Sequence, residues 1–219
     1  MALARLDAEP DLVERVYDAL LTSIADGTLP PGARLTQEEL AAQLDVSRQP
    51  VLQALRLLKQ DGFVVDAGKR GLMVTPIDAQ AIAQVYQLRG ALDALAARLA
   101  AQRKASIDEQ LITRGRKAAQ GRALDAMIKA DIAFHNALYD ASGNPLIAQS
   151  ANRHWAHIRR AMGAVLQSAG LREAVWDEHA QIAEMIRAGD ATRAERLTRE
   201  HGEHAGRAIT QSLERAAAA

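Results

Sequence analysis

Three stretches of the sequence set polar, metal-competent side chains on apolar helix faces. In KADIAFHNAL, Asp131 and His135 stand four residues apart, one above the other on a helix. The same face carries Leu124, Met127, Ile128 and Leu138, so both polar groups point inward. In VWDEHAQIAEMI, His179 lies between Val175 and Ile182 on the apolar stripe. In AERLTREHGEHAG, His201 follows Leu197 by one turn and again points in. Buried polar groups need partners. One carboxylate oxygen and three imidazoles suit a divalent transition ion such as Zn, Ni, Mn or Fe. For each histidine singly, a hydrogen-bonded core position is the simpler account. The i,i+4 pair with two further inward histidines puts a metal site on an equal footing. His154 also falls on an apolar stripe, His204 competes with His201, and His157 reads as exposed. Glu178 adjoins His179 but lies one residue round the helix, so it is expected to point elsewhere.

Such residues must be held by helices, and the composition provides for them. Apolar residues make up 48% of the 219, but aromatics only 3%, which favours a Leu/Ala/Ile/Val-packed helical protein over a β-rich one. Cysteine is absent, so disulfides and thiolate metal sites are excluded. No basic-then-apolar leader and no run of about 20 apolar residues occurs, so the expectation is a soluble cytoplasmic chain with no membrane partner.

Pro76 marks a boundary, giving a 1–76 domain and a 77–219 domain. After it, the pattern predicts six helices with short connections: from Asp78 to about Lys104, from a Ser106/Glu109 cap to near Gly121, 123–141, 145–168, 171–187, and from Asp190 onward. Val85, Leu88, Leu92, Leu95 and Leu99 are expected along the inner face of the first. Short connections make neighbours antiparallel, hence an all-α bundle.

Before Pro76 the pattern predicts three short helices and a β-hairpin. Leu12, Val16, Leu20 and Ile24 stripe the first, behind an Asp11/Glu14 capping box. Thr36 and Glu39 cap the second, and Ser47 opens the third, with Val51, Leu55 and Leu58 inward. DGFVVDAGKRGLMVT reads as two strands around a basic tip. Residues 46–75 carry five Lys/Arg against two Asp/Glu, on a domain holding 8 against 11. Together these make a winged helix-turn-helix with one basic face, suited to the major groove. The plainer alternative is a small helical domain whose hairpin covers its core.

GTLPPGARLTQEELAAQLDVSRQPVLQALRLLKQDGFVV resembles the N-terminal winged helix of the GntR family of bacterial transcription regulators. YQLRGALDALAARLAA, DIAFHNALYDASGNPLI, EHAQIAEMIRAGD and AERLTREH resemble its FadR-like branch, with an all-helical FCD ligand-binding domain. The likeness covers about residues 12–210, both halves in order. It implies a homodimer on a roughly palindromic operator, with DNA affinity modulated by a small metabolite, often a carboxylate or sugar acid. It also implies one metal per chain on Asp131, His135, His179 and His201, with zinc first among the candidates. Such an ion keeps positions open for an effector carboxylate and anchors without catalysing.

The family's Arg-then-Glu pair matches Arg89, but the second position is Asp93. Arg89 is either a forked donor for an anionic effector or the partner of Asp93. Asn152, Trp155 and Arg159 share one side of the fourth bundle helix and could line the effector cavity or stand at a surface edge. On the DNA side the resemblance implies contacts from Arg34, Gln37, Arg48, Gln49, Leu52, Gln53, Arg56, Lys69 and Arg70. Arg48 suits guanine or phosphate, Gln49 and Gln53 adenine, and Lys69 and Arg70 the wing's backbone contacts. The family's usual PVREAL is PVLQAL here, so Leu52 replaces an arginine. Leu52 either packs under a neighbouring element or meets a thymine methyl.

Two other functions stand beside this one. A bundle metalloenzyme would need paired Glu-x-x-His motifs, which are absent, or a general base beside the metal, where Glu178 is expected to point elsewhere. A metal-free DNA-binding protein with a histidine-rich core is separated from the first reading by metal content.

Overall fold

The computed structural model describes residues 12–68, 71–121, 123–165 and 172–218. The chain divides into two compact units, Met1–Pro76 and Ile77–Ala219.

In the first unit, α1 (Leu12–Ala25) buries Val16, Leu20 and Ile24, while Leu12 stays exposed. α2 (Gln37–Leu44) starts at a Thr36 N-cap: Thr36 Oγ1 accepts from the Glu39 amide at 3.3 Å and donates to Glu39 Oε2 at 2.8 Å, so the Glu39 carboxylate meets the hydroxyl and not the Thr36 amide of a full capping box. The helix stops at Asp45, whose left-handed backbone (φ 52°) makes the tight turn into α3. α3 (Arg48–Gln60) buries Val51, Ala54, Leu55 and Leu58 on one face. This leaves Arg48, Gln49 and Arg56 on the exposed face.

The sheet has three strands where the sequence suggests two. β1 (Arg34–Leu35) pairs antiparallel with β3 (Leu72–Val74), which also pairs with β2 (Val64–Asp66). Two residues carry too little alternation to read as a strand, but Leu35 is buried and sits opposite Leu72. Gly68 (φ 72°) and Gly71 (φ 104°) bend the β2–β3 connection, which the Ala67 amide closes on the Gly71 carbonyl.

Among the described residues the second unit holds seven helices: α4 (Ala79–Gln102), α5 (Glu109–Gln120), α6 (Leu124–Ser142), α7 (Pro145–Asn152), α8 (Trp155–Val165), α9 (Arg172–Ala188) and α10 (Ala191–Ala218). Three expectations need correction. Asp108, not Ser106, caps α5, accepting from the Gln110 amide. The expected fourth helix is two. The His154 amide bonds back only three residues, to Ala151, and His154 then supplies the first carbonyl of α8.

The third correction concerns α4. Its buried face carries Tyr86, Arg89, Asp93 and a run of alanines, while Leu88 is exposed and Leu92, Leu95 and Leu99 are only partly buried. Small residues let α10 lie very close. A Cβ on Gly202 would stand 3.3 Å from the Gly90 Cα, and one on Gly206 3.0 Å from the Tyr86 Cβ. Close approach thus outweighs the greasier stripe.

Candidate functional site

α6 presents Asp131 and His135 on its buried face, one turn apart. α9 brings His179 and α10 brings His201, both buried. One ring nitrogen from each of the three histidines lies within 4.8 Å of the others. His179 Nε2 and His201 Nε2 are 3.2 Å apart. Asp131 Oδ1 is 3.8 Å from His135 Nε2 and 3.7 Å from His179 Nε2. These separations suit donors sharing one ion whose bonds are about 2.0–2.2 Å long.

Neighbouring side chains fix each ring. Phe134 stacks on His179 at 4.0 Å, and Trp176 meets it edge-on at 4.7 Å. Trp176 is itself held over Gly115, where any Cβ would collide with its indole. His201 Nδ1 lies 2.7 Å from Glu178 Oε2, which leaves Nε2 turned toward His179. His135 Nδ1 is 3.3 Å from Asp93 Oδ2, close enough for an ion pair but without the alignment of a hydrogen bond. Both nitrogens of His135, and Nδ1 of His179, have no hydrogen-bond partner though fully buried. Orphaned imidazole nitrogens of this kind are costly unless something binds them. The donor set fits a divalent ion.

Electrostatics favour the binding form of His135 and His179. Burial pushes the His135 pKa down, helped by Arg89 and opposed by Asp93 and Asp131. Burial pushes His179 well below 6.5, and His201 and His135 add to the effect. Neutral imidazole is the ligand form. Asp93 goes the other way: burial raises it, but His135 and Arg89 together hold it at about 2.

Arg89 joins this cluster from α4. Its Nε is 3.2 Å from Asp93 Oδ2, and its terminal nitrogen is 3.6 Å from Asp131 Oδ2. The guanidinium lies 4.3 Å from the Trp155 ring centre. Tyr139 donates to the other oxygen of Asp93 at 2.6 Å. The Asp93 pairing therefore forms, and Arg89 still lines a cavity of about 150 Å³ together with Asp131, Glu178 and His201.

Other expected residues fall elsewhere. Glu178 points into the site rather than away, bonding His201 and, at 3.3 Å, the exposed His204. The one-residue offset matters less than assumed because α10 supplies the partner ring. The α7–α8 break voids the seven-residue spacing of Asn152 and Arg159. Asn152 is exposed, and Arg159 is partly exposed and pairs with Asp125 at 3.1 Å. Of that trio only Trp155 meets the cluster. Tyr139 and Glu178 are supporting residues that the sequence did not assign, whereas Asp93 takes the place expected of it as partner of Arg89. The i,i+4 spacing of Arg89 and Asp93 was the one available signal.

In the first unit, Arg48, Gln49 and Arg56 project from α3, with Leu52 and Gln53 half-buried between them. Arg34 is exposed on β1, and Gln37 is half-buried at the start of α2. Arg48 pairs with Glu38 of α2 at 2.8 Å, an exposed contact of small worth. Lys69 and Arg70 lie outside the described residues. No described helix is long and apolar enough to cross a membrane.

The bacterial regulatory protein gntR family model matches residues 12–74, and the FCD domain model matches 84–204. An HTH-type transcriptional regulator in an unstable DNA locus of Streptomyces ambofaciens is 31% identical over 91% of this chain and 84% of its own. The chain belongs to the GntR family, with an FCD domain. A Rhodococcus sp. RHA1 protein described as a GntR transcriptional regulator is 26% identical, with TM-score 0.74 over 91% of this chain and 98% of that one. Escherichia coli McbR/YncC shares the fold at 19% identity, with TM-score 0.77 over 94% and 100%. This GntR chain is a transcriptional regulator, and its family binds operator DNA; the matched families and relatives are regulators, not enzymes.

Proposed function

We propose that this GntR regulator binds its operator as a homodimer with an affinity set by a small carboxylate held in the FCD domain. Asp131, His135, His179 and His201 would hold one divalent ion, zinc before Ni, Mn or Fe. That ion supplies a Lewis-acid anchor for a carboxylate oxygen. Arg89 supplies the forked cation beside it, and Asp93, Tyr139 and Trp155 hold Arg89 in place. The observation that carries the reading is that Arg89, Asp131 and His201 line one cavity.

On the DNA side, Arg48, Gln49, Gln53 and Arg56 read or grip the major groove, with Leu52 among them. Arg34, Gln37, Lys69 and Arg70 hold the flanking backbone. Control then follows from linkage: an effector that prefers the DNA-free arrangement weakens DNA binding by its differential affinity. The test is the metal content of the purified chain and of His135→Ala, joined to mapping of bound DNA across the source genome. One equivalent of metal, lost in the variant, and discrete operators support the reading. A chain that neither holds nor takes up any divalent metal contradicts it.

A further inference from the structure

The cavity beside the histidine cluster is polar at one end only. Arg89, Asp131, Glu178, His201 and His204 form that end. The rest of the described wall is Tyr86, Met127, Met162, Val175, Trp176 and Ile209, with alanines between them. All six named side chains are buried or half-buried. Among the described residues this wall offers a hydroxylated body only the Tyr86 hydroxyl and the Trp176 ring N–H, and each unpaired hydroxyl taken from water costs free energy. Among the described lining residues Arg89 is the one arginine or lysine, and Asp93 and Asp131 already share its charge. A second carboxylate on the ligand would meet the apolar wall, or Glu178 and the His204 ring already bonded to it. The volume, about 150 Å³, is below the roughly 300–1,000 Å³ of drug-sized sites.

We infer that the effector is a small monocarboxylate with an apolar body, its carboxylate beside Arg89 and its tail against Met127, Met162 and Ile209. Sugar acids and dicarboxylates are disfavoured. This rests on the carboxylate reading above and narrows it.

The test uses the full-length, zinc-loaded chain and follows the fluorescence of its two tryptophans, Trp155 and Trp176, both of which border the cluster. Acetate, butyrate and hexanoate are titrated beside glutarate and 5-hydroxypentanoate, the last having the same number of heavy atoms as hexanoate. Each added methylene should tighten binding by about fourfold. The hydroxy acid and glutarate should bind more than about tenfold more weakly than hexanoate. Met127→Gln and Met162→Gln should each shrink the gain per methylene. Glutarate or 5-hydroxypentanoate binding as tightly as hexanoate overturns the inference while leaving the carboxylate reading intact. So does a chain-length gain unchanged in both glutamine variants, because the tail then lies elsewhere. Binding of none of the acids overturns both readings together.

Discussion

His179 and His201 face each other through their Nε2 atoms at 3.2 Å, one ring carried by α9 and the other by α10. Two imidazoles so placed either share a proton or share an ion. The first option leaves both nitrogens of the neighbouring His135 without a hydrogen-bond partner, whereas an ion also serves His135. His179→Ala and His201→Ala should therefore each lower zinc affinity by more than about 100-fold, beyond the range of supporting residues. Glu178→Ala, which frees the His201 ring to rotate, should cost about 10–100-fold. Competition with a chromophoric chelator measures all three. Unchanged affinity in Glu178→Ala would show that its bond to His201 orients nothing.

Stability of the chelated protein should depend on pH through His135 and His179. Both have pKa values pushed below 6.5 by burial. The unfolded chain therefore takes up protons first as pH falls. Stability is fully present above about 6.5 and is lost progressively below it, with a slope approaching about 1.4 kcal/mol per pH unit per histidine. Urea unfolding between pH 8 and 5 measures this. His179→Gln should flatten the curve, and a curve as steep as the wild type would assign the effect to other groups.

Asp93 is the negative half of a buried pair. Removing it as Asp93→Ala leaves Arg89 with only Asp131 at 3.6 Å and strands the Tyr139 hydroxyl. A loss of about 3 kcal/mol is expected, within the range for breaking a buried pair. Urea unfolding of the chelated variant against chelated wild type gives the figure, and a loss below about 1 kcal/mol would mean that Asp131 suffices.

In the DNA-binding unit, Arg48→Ala should cost about 1–3 kcal/mol of discrimination if Arg48 reads a base. If it holds phosphate, all sequences weaken alike. Leu52 is half-buried beside it, between exposed Arg48 and Arg56. Leu52→Arg should shift base preference at one position of each half-site, measured by selection from randomised DNA. An unchanged preference would leave Leu52 a packing residue.

The winged helix was readable because its caps and turns are local. Thr36 with Glu39, and the glycines about the wing, act within a few residues. Asp131 and His135 were readable because four residues on a helix always share a face. The α4 interior was not readable. Which of its faces α10 covers depends on Gly202 and Gly206, over a hundred residues away. Separations of 46 and 23 residues likewise hid the bonds of Tyr139 to Asp93 and of Glu178 to His201. The β1 strand, paired with β3 from nearly 40 residues away, is only two residues long and shows no alternation, and the α7–α8 break rests on a three-residue hydrogen bond that leaves the apolar period unmarked.

The most direct measurement is operator binding by the zinc-loaded chain, titrated with hexanoate, beside His179→Ala under the same conditions. Hexanoate should change the operator Kd of the wild type by at least about fivefold, and His179→Ala should bind the operator without responding. An equal response in both proteins would contradict control through the histidine cluster.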